Sequence, residues 1–187
     1  MRGIDLYLDK QKNRIFSNVD FRKFEDANFK LLNFEIVNDV GEVLTSTISR
    51  ISTVFVKIDF NLKMTDPALN IGYGLYGGNE ECYFLTWMKD GSENDWPKLK
   101  IGKNTLKVEL PVNLINEGEY RIQLFVGLHH QKWIISPVDN LALYFETQGA
   151  LIDSIYWYEK RDGLCAPLLK WQNSIISSDI PNYSEKP

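Results

Sequence analysis

Two adjacent histidines, His129-His130, are the only histidines in the chain. An imidazole can act as a general base or bind a metal. On a regular strand, however, neighbouring side chains point to opposite faces, so this pair cannot chelate one ion together. No cysteine or third histidine lies near them in sequence, and His129 is read as a hydrogen-bonding residue at a strand end. Gly72-Tyr-Gly74-Leu-Tyr-Gly77 spells G-x-G-x-x-G, but a dinucleotide site needs a helix after the glycines to meet the pyrophosphate. Here Glu80 and Glu81 follow, then the aromatic stretch Cys82 to Met88, which reads as a strand. The acidic loop Asp90 to Asp95 lacks the EF-hand spacing and its closing glutamate, and reads as a solvated hairpin. There is no G-x-S-x-G and no G-x-x-x-x-G-K-[ST], and Cys82 and Cys165 stand outside any catalytic motif. No cofactor, metal or catalytic residue is therefore expected. Paired carboxylates for glycoside hydrolysis stay open in a chain with 25 acidic residues.

Aromatic side chains, 13% of the chain, are the remaining chemical asset. Most belong to the core, because such residues are highly buried on average. Yet by the alternation of apolar and polar positions, Tyr76, Phe125 and Tyr144 fall on polar faces together with Arg121, Gln123 and His129. Rings beside planar hydrogen-bonding groups suit a sugar, whose C–H face stacks on the ring while its hydroxyls are hydrogen-bonded.

The elements that must position these residues are strands, since period-2 alternation dominates. It is clearest in Val54 to Leu62, where Lys57, Asp59 and Asn61 oppose the apolar set, and recurs in Leu106 to Leu110 and Leu141 to Phe145. In Tyr120 to His129, Tyr120, Ile122, Leu124, Val126 and Leu128 oppose Arg121, Gln123, Phe125, Gly127 and His129. Phe29 to Val37, Val43 to Ile48 and a strand holding Ile155 and Trp157 complete the set, with turn clusters between them. This pattern predicts an all-β antiparallel sandwich of immunoglobulin-like or jelly-roll type. Residues 1–27 are expected to be a lead-in segment or linker, 28–172 the sandwich, and 173–187 a flexible C-terminal tail. Strands Leu69–Tyr76, Tyr120–His129 and Leu141–Phe145 are expected to share a sheet. Its outer face would carry Gly72, Gly74, Tyr76, Arg121, Gln123, Phe125, His129 and Tyr144, the glycines leaving a shallow depression among the rings.

Composition narrows the function classes. A net charge of −4 argues against nucleic acid as a partner, which needs a basic footprint. Two cysteines cannot form a disulfide framework. No run of 18 apolar residues suggests a spanning helix, and the opening residues turn charged too early for a signal peptide. One soluble, cytosolic domain is expected.

Four stretches carry a family resemblance: Phe34-Glu-Ile-Val-Asn-Asp-Val-Gly-Glu42; Leu69 to Tyr76 with Tyr83 to Thr86; Gly118 to Leu128 followed by Asp139 to Glu146; and Gly163 to Trp171. In order and spacing they resemble the C-terminal carbohydrate-binding domain of the Wzt-type ATP-binding subunit of O-antigen polysaccharide ABC transporters. The resemblance implies a non-catalytic β-sandwich that recognises the non-reducing, often chemically modified, end of an O-antigen polysaccharide and couples chain completion to export. It implies a cytoplasmic location, peripheral to the inner membrane through the transporter. The partners it implies are the polysaccharide, the transporter's nucleotide-binding domain and its membrane subunit. It also implies a homodimer formed by exchange of a C-terminal strand, which Asp153 to Trp171 would supply. Arg121 would suit an acidic sugar or a phosphate cap. The alternative is a protein-interaction or dimerisation module that uses the same face without glycan.

Overall fold

The computed structural model describes residues 23–45, 47–149, 161–167 and 169–172. The strand expected around Ile155 and Trp157 and the tail 173–187 lie outside the described residues, as do most of the lead-in 1–27 and much of the exchange segment Asp153 to Trp171. The described residues form nine strands: β1 (Phe29–Asn38), β2 (Ile48–Ser49), β3 (Val54–Leu62), β4 (Leu69–Gly77), β5 (Cys82–Trp87), β6 (Gly102–Leu110), β7 (Gly118–Leu128), β8 (Lys132–Ile135) and β9 (Ala142–Gln148). They make an all-β sandwich. One sheet has the order β1-β3-β6; the other runs β2-β9-β7-β4-β5, with β8 also paired to β7. All pairs are antiparallel except β2 with β9.

Alternation explains the layers. In β3 every second residue from Val54 to Leu62 is buried and the intervening ones are half-exposed, so one face meets the core and the other water. The core lies between the sheets, with Phe29 stacked on Phe60 at 5.4 Å and Tyr120 stacked on Phe145 at 5.5 Å. In β7, by contrast, both faces are buried from Tyr120 to Gly127, so something covers the outer face of that strand too. The expected grouping of β4, β7 and β9 in one sheet is observed.

Three local expectations differ from the structure, each for a topological reason. Val43 and Ile48 do not share a strand: Val43 makes an isolated bridge to Val37, whereas Ile48 pairs with Thr147 in the other sheet. The acidic loop Asp90 to Asp95, which contains a 3₁₀ turn at Glu93–Asp95, is not a hairpin, because β5 and β6 belong to different sheets. His129 and His130 follow the end of β7, in the turn to β8, with His130 at φ 57°. The alternation that would separate them stops at Leu128, and their rings lie side by side at 3.9 Å.

Candidate functional site

Register places the outer face of the larger sheet in rows. Tyr76, Arg121 and Tyr144 are direct neighbours across β4, β7 and β9; then come Gly74, Gln123 and Ala142. Next are Trp87, Gly72 and Phe125 across β5, β4 and β7, and last Asn70, Gly127 and Trp133 across β4, β7 and β8. The face is polar at one end and aromatic at the other.

At the polar end Arg121 is 7% exposed and lies with its guanidinium carbon 4.3 Å from the centre of the Tyr76 ring. Its NH1 donates to Gln123 Oε1 at 2.7 Å and to Asn140 Oδ1 at 3.3 Å, and its NH2 donates to the Glu80 carboxylate. Gln123 donates in turn to the Pro137 carbonyl at 2.7 Å, on a 3₁₀ turn (Pro137–Asp139) that leans over β7. Burial raises the pKa of the Tyr76 phenol. Tyr144 stands at the edge of this cluster, 41% exposed.

The aromatic end forms an open groove of about 570 Å³, bounded by Trp87 and Trp133 and completed by Asn70, Gly127 and the turn from Leu128 to Lys132. The tryptophan rings lie 6.1 Å apart at 35°, and Phe125 sits against both, at 6.0 Å from Trp87 and 6.4 Å from Trp133. Glycines make room for the indoles: a Cβ on Gly72 would fall 2.7 Å from the Trp87 ring, and one on Gly127 would fall 3.3 Å from the Trp133 ring. The side-chain oxygen of Asn70 is buried at this groove and has no hydrogen-bond partner among the described residues, which leaves an acceptor for an incoming donor. On the rim, Lys132 donates to Asp26 at 2.6 Å, and that hydrogen bond holds the Asp26 carboxyl below its usual range. Among the described residues no group of three His, Cys, Asp or Glu side chains could hold a metal ion.

The eight residues expected from the sequence therefore divide. Gly72 and Phe125 support the groove and His129 lines it, while Gly74, Tyr76, Arg121, Gln123 and Tyr144 belong to the polar end. The glycines leave no depression of their own, because Trp87 fills the space over Gly72, and Leu85 with the Tyr76 ring fills that over Gly74. Sequence reasoning missed Trp87, Trp133 and Asn70. A glycine facing a tryptophan in a neighbouring strand was the available signal, but it appears only once β4 is paired with β5 and β7 with β8.

A second cleft, about 320 Å³, opens between the sheets and is lined by Tyr73, Tyr83, Phe84, Val108 and Leu114 among others. Val108, expected in the core by alternation, is 37% exposed here, because β5 and β6 edge different sheets and do not pair. Burial pushes the Tyr73 phenol up to about 12.

No protein-family model matches the chain, and no curated protein matches it in sequence. Among solved structures it matches the crystal structure of the C-terminal domain of Wzt with a TM-score of 0.54, over 80% of this chain and 86% of that one. The chain has the fold of that domain. Sequence identity is 12%, so the likeness to the Wzt domain is carried by strand order and layers rather than by shared side chains. No helix among the described residues is long and apolar enough to cross a membrane.

Proposed function

We propose that the chain is a non-catalytic carbohydrate-binding module whose ligand docks against the paired indoles of Trp87 and Trp133. The observation that carries this reading is the groove itself: two indoles seated on glycines, with an unpartnered amide oxygen between the strands that bear them. Aromatic rings receive the C–H face of a pyranose, while Asn70 and the imidazoles of His129 and His130 offer hydrogen bonds to its hydroxyls. Glycoside hydrolysis takes two carboxylates across the scissile bond, and among the described residues the one carboxylate at this groove, Asp26 on its rim, is held by Lys132. The fold shared with the Wzt C-terminal domain supports the same class of ligand.

The finer reading follows from the family resemblance. The ligand is the non-reducing end of an O-antigen polysaccharide, read on the cytoplasmic side of the inner membrane to license export. The partners are the nucleotide-binding domain and membrane subunit of an ABC transporter, with a second copy of this chain.

Calorimetric titration with O-antigen polysaccharide, intact or trimmed of its non-reducing terminal residue, tests both levels. Binding that needs the terminal residue and is lost in Trp133→Ala supports the full reading. Equal binding of the intact and trimmed chains keeps the carbohydrate module and removes end recognition. No binding of either leaves the protein-interaction module as the function.

A further inference from the structure

Two permanent cations belong to this face among the described residues of its strands and groove: Arg121 at the polar end and Lys132 on the groove rim. Each already holds a carboxylate from its own chain. Arg121 carries Glu80, delivered by the β4–β5 hairpin, and Lys132 carries Asp26, delivered by the segment before β1. The Glu80 side chain is 69% exposed over an Arg121 side chain that is 9% exposed, so the carboxylate covers the guanidinium from the solvent side. Among the described residues three non-glycine residues adopt positive φ: Glu80, His130 and Asn140. Glu80 and Asn140 both hydrogen-bond Arg121, and His130 lines the groove. Asn and His tolerate left-handed backbone better than other residues with a Cβ, so of the three Glu80 is the one its surroundings must hold there. The row beyond Arg121 adds negative charge, because Glu119 and Glu146 lie directly opposite each other on the same face.

We propose that the sugar taken by this face is uncharged, and that Asp26 and Glu80 enforce the preference by neutralising the two cations an acidic sugar would need. The inference rests on the carbohydrate reading of the groove. A uronate or phosphate ester entering the groove must draw Lys132 away from Asp26. That exchanges one charge-assisted hydrogen bond for another and leaves the Asp26 carboxylate facing the ligand. At Arg121 it must displace Glu80 and then lie beside Glu80, Glu119 and Glu146, where like charges disfavour it. A neutral pyranose meets neither cost, since Asn70 and the indoles offer a dipole and ring faces rather than net charge.

The test uses the full chain on an array of oligosaccharides ending in hexoses or 6-deoxyhexoses, each beside a counterpart ending in the uronic acid or the phosphate monoester. The wild type is expected to retain neutral members at least tenfold more tightly than their anionic counterparts. Asp26→Asn with Glu80→Gln, a double variant whose melting temperature is checked first, is expected to close most of that gap by strengthening retention of the anionic members. Wild-type preference for the anionic members overturns the inference and leaves the carbohydrate reading standing, as does a gap unchanged in the double variant. Retention of no member by the wild type overturns the carbohydrate reading itself.

Discussion

Trp87 lies across Gly72, its direct cross-strand neighbour, so closely that a Cβ on residue 72 would meet the Thr86 carbonyl at 2.3 Å and the indole at 2.7 Å. The glycine is what lets the indole approach the β4 backbone this closely and bound the groove. Gly72→Ala must push both the ring and the β5 backbone away. It is expected to cost ~1–3 kcal/mol of stability, the usual range for overpacking, and to weaken glycan retention. Urea unfolding and titration check both. Gly78→Ala is the control, because its Cβ would meet nothing nearer than 3.7 Å.

Trp133 is 52% exposed, whereas Phe125 beneath it is 4% exposed. Trp133→Ala is therefore expected to reduce glycan affinity about tenfold or more, ~1.4 kcal/mol, with little change in melting temperature. Phe125→Ala is expected to destabilise the fold by ~3–5 kcal/mol, as for other buried aromatic truncations. Tryptophan fluorescence should change on ligand binding in the wild type and respond less in Trp133→Ala.

Arg121 and Tyr144 are cross-strand neighbours with opposite expectations. Arg121→Ala removes the donor to Gln123 Oε1 and Asn140 Oδ1, and Gln123 is itself 5% exposed. The loss is expected to be ~1–3 kcal/mol, the cost of leaving buried polar groups unpaired. Tyr144→Ala is expected to stay within ~0.5 kcal/mol, as at an exposed site. Thermal melts of the two variants separate a structural Arg121 from one free to bind ligand.

Acid should weaken the fold through two carboxyls. The hydrogen bond from Lys132 lowers the pKa of Asp26, and those from the Ser136 hydroxyl and backbone lower that of Asp139. A carboxyl depressed in the folded state stabilises fully above its unfolded value, here 3.8, and that contribution is lost as pH falls through the folded value. Stability is thus expected to be steady above about pH 5 and to decline below about pH 4. Asp139→Asn should show a shallower acid decline in denaturant midpoints measured across that range.

Much of the fold was legible in the sequence because the period-2 rule acts within a strand. The alternating faces of Val54 to Leu62, the strand at Leu69 ending in the Gly77-Gly78 turn, and the reading of G-x-G-x-x-G as strand rather than phosphate loop all follow from local order. The rule failed where a chain segment changes sheet, at Val43 to Ile48 and at Asp90 to Asp95, since crossing between layers leaves no mark on local alternation.

The sequence by itself determined which side chains of a strand share a face, and so set Arg121, Gln123 and Phe125 on the side of β7 opposite Tyr120, Ile122 and Leu124. Only the tertiary structure decided what those residues meet there. Trp87, Trp133 and Glu80 reach that face from β5, β8 and the hairpin tip, and long-range register rather than alternation brings Trp87 over Gly72, Trp133 over Gly127 and Glu80 onto Arg121. The physical reason is one of range: a side chain's facing is set by its own backbone, whereas a groove is set by which neighbour arrives and how far it slides before pairing.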